Sequence, residues 1–124
     1  MLYGEVWKAI VHAGLAPYSG IMHGSERDQG SLIFDLIEEF RAPFGDRLVL
    51  GMLGRGFQPQ LGRNGSLRTS VRRLLVGAFH RVWNRPIRWR GKMHSPCRIL
   101  EQQAKGLARP FLAEETYRAF QFRW

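Results

Sequence analysis

SLIFDLIEEF, residues 31–40, is the stretch that decides how this chain folds. At about 100° per residue, its acids Asp35, Glu38 and Glu39 share one narrow face of a helix, and its large apolar side chains cover the rest. The pattern therefore predicts a mostly buried helix with an acidic stripe. Asp35 and Glu38 stand about one turn apart and repel each other, so either water or a cation must lie beside the stripe.

A glycine-rich segment leads into this helix and carries a histidine. Residues 15–30, LAPYSGIMHGSERDQG, include one proline and three glycines, which is typical of a loop. The stretch from Gly24 to Gly30 leaves room for His23 to fold back over the acidic stripe. One imidazole and several carboxylate oxygens suit Mn²⁺ or Mg²⁺. The alternative is an exposed loop histidine beside a solvated acidic face.

Apolar periodicity and capping residues predict four further helices. Pro43 and Pro96 suit a first helical turn, because the N–H that proline lacks has no intrahelical partner there. Gly14 is the predicted stop of the first helix, and Arg85-Pro86 ends the fourth. The predicted helices cover residues 2–14, 43–53, 66–83 and 95–112.

Two segments between the helices are rich in turn-forming or basic residues. GRGFQPQLGRNGS, residues 54–66, has turn chemistry throughout, and Asn64-Gly65 is a candidate hairpin turn. IRWRGKMH, residues 87–94, is predicted to be a basic connector. Neither segment has the periodicity of a helix.

Length and pattern together predict an all-α fold of about five helices. With 124 residues and 44% hydrophobic letters, one helical domain over residues 1–124 is expected. Residues 112–124 are predicted to form an extended C-terminal tail. Its aromatic residues Tyr117, Phe120 and Phe122 are expected to pack the tail back on the core.

Composition excludes several classes of protein. Cys97 is the one cysteine, so an internal disulfide framework is excluded and a reducing compartment is favoured. The sequence shows no signal-peptide pattern and no apolar run of roughly 18 residues, so we expect a cytoplasmic protein without membrane contact. No Walker loop, zinc-type spacing or nucleophile–base pair is present.

Charge is divided unevenly along the chain. Residues 1–50 carry seven acids and four bases, whereas residues 51–110 carry thirteen bases and one acid. Arginine supplies most of that positive charge, and its fork binds phosphate oxygens in pairs. A surface for a polyanion, with nucleic acid first, is therefore one interpretation, and a solvated basic face is the other.

Several blocks in a fixed order carry a resemblance to a known family. The chain resembles the C-terminal helical domain of the CRISPR-associated integrase, the metal-dependent DNA endonuclease of spacer acquisition, over nearly all its length. The blocks are AGLAPYSGIMH, SLIFDLIEEFR, DRLVL, RRLLVGAFHRVW, ILEQQAKGLARPFL and YRAFQFRW. One departure is Ala16, where the family usually has Asp in the turn.

The resemblance implies DNA cleavage and transesterification, in which a DNA 3′-hydroxyl attacks a phosphodiester and spacer DNA enters a CRISPR array. It implies that His23 and Glu38 are ligands of Mg²⁺ or Mn²⁺ and that Asp35 lies near them. Glu39 matches the family only as a helix residue. The implied partners are prespacer and CRISPR-repeat DNA, a second copy of the chain or a full-length integrase, and the small ferredoxin-like adaptation subunit.

On this interpretation, arginines hold the phosphate backbone around the site without selecting a sequence. Trp83 and Trp89 either stack on frayed bases or pack in the core. The arginines that we expect to bind DNA are Arg72, Arg73, Arg81, Arg85, Arg88 and Arg90.

Two features of the family are expected to be missing here: a β-rich N-terminal domain and an upstream helix with the first metal-binding glutamate. The chain would then hold two of three ligands. Glu5 is a weak substitute, and a packing role or a surface pair is expected for it. The first helix is expected to expose Leu2, Val6 and Ile10 and thus to favour self-association.

Two other functions stay open. A non-catalytic nucleic-acid-binding remnant would bind without metal and would not cleave. An accessory subunit that assembles with a full-length integrase would purify with that protein and would bind DNA weakly on its own.

Overall fold

Helices dominate the structure, a computed structural model that describes residues 1–17, 31–108 and 117–122. The all-α prediction is confirmed, with one short β-hairpin added to the helices. None of the helices in these three ranges has the length and hydropathy that a bilayer crossing requires. The elements are α1 (Leu2–His12), α2 (Ser31–Phe40), a π-helical segment (Arg41–Asp46), α3 (Arg47–Leu53), α4 (Thr69–Trp83), β1 (Ile87–Trp89), β2 (Lys92–His94) and α5 (Pro96–Ala108).

Helix α1 buries the face that the sequence predicts to be exposed. Val6 and Ile10 are fully buried, and Leu2 packs against the core. The prediction of an exposed apolar face there is therefore wrong, because both α2 and α5 pack against α1. Gly14, with a φ of 76°, follows the helix as the predicted stop. The large apolar side chains that α1 leaves exposed are Tyr3, Trp7 and Val11.

Pro43 lies inside a continuous helical segment and does not begin a new helix. The π segment, in which hydrogen bonds reach five residues back, starts two residues before Pro43. Proline removes one helical donor, and its ring crowds the carbonyl four residues earlier, so a locally wider helix accommodates it. The predicted separation of the second and third helices is therefore wrong, and residues 31–53 form one unbroken segment.

The core is built around α2. Leu32, Ile33, Leu36 and Phe40 are each at most 2% exposed. Burying a side chain of this size contributes about 1.5–3 kcal/mol. Phe40 also begins an aromatic part of the core, because its ring stacks on that of Phe120 with 4.9 Å between the centroids. The helix that carries the acidic stripe is thus also the helix that organises the core.

Residues 87–94 form a β-hairpin where the sequence predicts only a connector. Strands β1 and β2 pair antiparallel, with Ile87 opposite His94. Arg90 and Gly91 make the turn with φ of 49° and 80°. Positive φ at both central residues is typical of a type I′ turn. The sequence signal is weak because each strand has only three residues.

The predicted turn at Asn64-Gly65 is present, but it closes very little sheet. Gly65 has a φ of 73°, and the Oδ1 atom of Asn64 accepts hydrogen bonds from the backbone N–H and the hydroxyl of Ser66. The pairing that flanks this turn is a single bridge between Leu61 and Leu67.

The carboxylate of Glu39 binds residues 117–122, the C-terminal segment, to α2. Glu39 accepts hydrogen bonds from the backbone N–H of Phe120 at 2.7 Å and from the hydroxyl of Tyr117 at 2.6 Å. It also accepts one from Nε2 of Gln103 at 3.1 Å. Gln103 is 3% exposed and donates to a backbone carbonyl of the same segment. This cluster, the Glu39 network, joins α2, α5 and the C-terminal segment.

We expect Glu39→Ala to lower the free energy of unfolding by about 2–4 kcal/mol, because three donors lose their acceptor in a partly buried place. Glu38→Ala is the matched control: the neighbouring side chain is exposed, so its loss should cost less than about 1 kcal/mol. Urea unfolding of both variants and the wild type at neutral pH measures the difference. Equal losses would show that the network does not hold the segment.

Stability should also fall at alkaline pH. Burial and the hydrogen bond to Glu39 raise the pKa of Tyr117 above its ordinary value. Above about pH 10 the unfolded chain therefore loses a phenolic proton that the folded chain keeps, so the free energy of unfolding decreases as pH rises. Tyr117→Phe has no such proton and should decline less steeply between about pH 9 and 11. Parallel declines would contradict this.

Candidate metal and nucleic-acid site

Helix α2 turns two of its three acids to solvent. Asp35 and Glu38 are exposed, and their spacing of three residues puts them on one side of the helix. His23, the other predicted metal ligand, lies outside the described residues.

Glu38 is paired with a cation. The Nη1 atom of Arg41 donates to its Oε1 atom at 2.8 Å, and Nε of Arg41 lies 3.4 Å from Oδ2 of Asp46. The side chains of Glu38, Arg41 and Asp46 are 59%, 56% and 50% exposed, respectively. Water therefore screens both contacts, and each contributes about 0.5 kcal/mol or less. A guanidinium, as well as water, thus offsets the repulsion that the sequence predicts within the stripe.

Glu39 does not belong to the solvated stripe, so the prediction that three acids share one face is wrong in this respect. One residue beyond Glu38, its side chain points about 100° further around the helix. There it meets Gln103 of α5 and the backbone of the C-terminal segment, which supply its hydrogen bonds. The acidic stripe is therefore the pair Asp35 and Glu38.

The donor chemistry of the acidic stripe fits a hard divalent cation. Carboxylate oxygens are the ligands that Mg²⁺ and Mn²⁺ prefer, and one oxygen of Glu38 already faces a positive group. Within residues 1–17, 31–108 and 117–122, no three His, Cys, Asp or Glu side chains gather as a metal site. The described residues thus offer carboxylates of the right chemistry but do not form a metal site by themselves.

Glu5 forms the surface ion pair expected for it. Its Oε1 atom lies 3.3 Å from Nζ of Lys8, three residues further along α1. The lysine is 61% exposed, so this is an ordinary screened ion pair on a helix surface.

Among the described residues, five arginines line a groove of about 1090 Å³. Its walls come from the π segment, α3, the end of α4, the hairpin and the C-terminal segment. Two of its cations, Arg47 and Arg55, are missing from the sequence-based prediction. Arg55 lies two residues beyond the end of α3, so helical spacing does not relate it to Arg47, and no signal in the sequence would have singled out the two. The predicted arginines that line the groove are Arg85, Arg88 and Arg90.

The other three predicted arginines lie outside the groove. Arg72, Arg73 and Arg81 are exposed on α4, and none of them lines this cavity. The structure therefore brings three of the six predicted arginines together.

Aromatic rings stand beside the cations of the groove. The guanidinium of Arg90 lies 4.4 Å from the ring centroid of Trp89, and that of Arg47 lies 5.5 Å from the ring centroid of Phe122. Contacts of this kind contribute about 0.5–1 kcal/mol at exposed sites. Trp89 is half-buried and packs partly on the core, so it serves both as a wall of the groove and as a core neighbour.

Trp83 is a core residue. It is 3% exposed, stacks on Phe79 and meets Phe44 edge-on, each with 5.3 Å between ring centroids. Of the two interpretations of this tryptophan, the structure supports packing. Its Nε1 atom has no hydrogen-bond partner among the described residues.

Comparison with known proteins gives consistent results. The model of the family "CRISPR associated protein Cas1" matches residues 1–81. A CRISPR-associated protein Cas1 of Methanobrevibacter ruminantium is 33% identical over 130 residues, which cover 100% of this chain and 38% of the relative. A CRISPR-associated endonuclease Cas1 of Francisella tularensis subsp. novicida is 27% identical, over 100% of this chain and 37% of the relative.

Two solved structures share the fold. A casposase bound to integration product superposes with a TM-score of 0.79 at 25% identity, over 96% of this chain and 34% of the casposase. A Cas1 protein from Thermotoga maritima superposes with a TM-score of 0.81 at 20% identity, over 90% of this chain and 36% of that protein. The second likeness concerns the fold alone.

The chain spans less than two fifths of the length of the full-chain relatives. The family model nevertheless covers both α1 and the helical segment with the acidic stripe. The resemblance found in the sequence blocks is confirmed by the family match and by the fold. The chain belongs to the Cas1 family of CRISPR-associated proteins.

Proposed function

We propose that this chain carries part of the catalytic centre of a CRISPR adaptation integrase, which cleaves DNA and joins spacer DNA to the repeat array by transesterification. The observation that carries the proposal is the pair of exposed carboxylates on α2, inside the region that the family model matches. The Francisella relative is named an endonuclease, and the casposase was solved with an integration product. Both similarities support a function in cleaving and joining DNA strands.

In the proposed site Glu38 and His23 hold Mg²⁺ or Mn²⁺, and Asp35 lies beside them. The cation supplies Lewis-acid stabilisation of the charge that develops on the attacking and leaving oxygens of the phosphodiester. A hard cation takes about six ligands, so two side chains leave room for water and for a ligand from elsewhere. We therefore expect activity only in the complete assembly.

The arginines of the groove hold the phosphate backbone in this proposal. Arg47 follows Glu38 by nine residues on the same helical segment, which is roughly 14 Å along a helix axis. That length corresponds to about four base-pair steps of DNA. A strand held in the groove could therefore extend toward the acidic stripe along one rigid element. Arg72, Arg73 and Arg81 add a second, more exposed set of phosphate contacts on α4.

The partners of the proposed function are prespacer and CRISPR-repeat DNA. Its protein partners are a second copy or a full-length integrase, and the small ferredoxin-like adaptation subunit. We place this activity in the cytoplasm.

Titration with Mn²⁺ should show weak binding that depends on the proposed ligands. His23→Ala and Glu38→Gln should each weaken it by roughly tenfold, because each removes one of few protein ligands. Glu5→Gln, which removes a partly exposed helical carboxylate of α1, is the matched control and should bind as the wild type does. Electron paramagnetic resonance of free Mn²⁺ measures the binding. Identical titrations for all four proteins would mean that the acidic stripe is only a solvated face.

DNA binding should depend steeply on salt. If five to eight cations meet phosphates, log affinity falls against log salt concentration with a slope near −4 to −7. Replacing Arg88 and Arg90 together with Ala should flatten the slope by roughly two units. Lys8→Ala with Lys105→Ala removes the same charge away from the groove and should leave the slope almost unchanged. Fluorescence anisotropy of a labelled duplex measures it, and a wild-type slope near zero would contradict phosphate binding.

A further inference from the structure

Arg41 stands at the end of the acidic stripe and bridges two carboxylates. Its Nη1 atom donates to Glu38 at 2.8 Å, and its Nε atom lies 3.4 Å from Asp46. The structure gives its Nη2 atom no partner among the described residues. Carboxylates therefore hold the guanidinium at Nη1 and at Nε, and Nη2 is left for a further acceptor.

The π segment is what brings Asp46 to Arg41. In a regular α-helix two residues five apart point about 140° away from each other. In a π-helix the backbone bonds join residues five apart, so their side chains come onto one side. The segment begins at Arg41 and ends at Asp46, and the pair has the spacing of that bond. Short π stretches are frequent at functional sites.

The pair on α1 shows what an ordinary ion pair of this spacing looks like. Lys8 and Glu5 are also three residues apart, and Lys8 meets no second carboxylate among the described residues. A lysine would neutralise Glu38 equally well. An arginine anchored by a second carboxylate has in addition a fixed orientation, which suits the paired oxygens of a phosphate.

We propose that Arg41 is a phosphate-binding residue of the metal site that a divalent cation releases from Glu38. The proposal rests on the proposed function, in which Glu38 is a metal ligand. Without the cation, the guanidinium neutralises Glu38. When Glu38 binds the cation, Asp46 keeps the Nε edge, and Nη1 and Nη2 turn to a non-bridging oxygen of the phosphodiester. The exchange is easy because all three side chains are exposed and their ion pairs are weak.

The test measures binding of a labelled DNA duplex to the 124-residue chain with Mn²⁺ and with a chelator in its place. Each variant is compared with the wild type under the same condition. Arg41→Ala should weaken DNA binding roughly threefold to tenfold with Mn²⁺, and by less than about twofold without it. Lys8→Ala, the matched control, should leave DNA binding unchanged in both conditions. Arg41→Lys keeps the positive charge but has no forked guanidinium, so it should lose part of the additional DNA affinity that is seen with Mn²⁺.

Glu38→Gln provides the converse test. With the chelator present, it frees Arg41 and should strengthen DNA binding by roughly threefold. The double variant Glu38→Gln with Arg41→Ala should lose that gain. A gain that persists in the double variant would come from the lost negative charge alone and would overturn the proposal.

A measurement of Mn²⁺ binding distinguishes a failure of this proposal from a failure of the proposed function on which it rests. Arg41→Ala should leave Mn²⁺ affinity unchanged or tighten it up to about threefold, because a competing cation is gone. If Glu38→Gln binds Mn²⁺ as the wild type does, the proposed function fails. If Glu38→Gln loses Mn²⁺ while Arg41→Ala changes DNA binding equally in both conditions, or in neither, only the role of Arg41 fails.

Discussion

The structure depends on one partly buried carboxylate. Glu39 accepts hydrogen bonds from α5 and from two residues of the C-terminal segment. That segment brings Phe120 into the aromatic part of the core, against Phe40, and it supplies one wall of the basic groove. The same polar cluster therefore holds together a hydrophobic layer and a charged surface. Its neighbour Glu38 is left to solvent, which is why two adjacent acids have unrelated roles.

Local chemistry predicts much of this fold. The apolar period of residues 31–40 predicts α2, and Gly14 and Asn64-Gly65 predict a helix stop and a turn. The role of Glu39 is beyond such patterns, because its partners lie 64, 78 and 81 residues away. Nothing in the sequence around it distinguishes Glu39 from Glu38.

The candidate site, too, is predictable from the sequence only in part. Asp35 and Glu38 follow from helical spacing, and the general excess of arginine in the second half of the chain is plain from the sequence. Which arginines meet in one groove is set by the hairpin and by the unbroken helix through Pro43. Strands of three residues carry too little pattern for prediction, and a proline ordinarily indicates a break. Arg47 and Arg55 were therefore not distinguishable from other basic residues.

The turn of the hairpin shows that stability and charge compete in this molecule. Arg90 has a φ of 49°, a left-handed backbone conformation that costs a residue with a Cβ atom about 1 kcal/mol. Asn or Gly adopts it more readily, and both are the usual choice at this place in a tight hairpin. What Arg90 offers in return is a cation fixed above Trp89 at the rim of the groove. A sequence optimised for thermal resistance alone would carry Asn at position 90, and the groove would then lose one of the five arginines that line it in the described part of the chain.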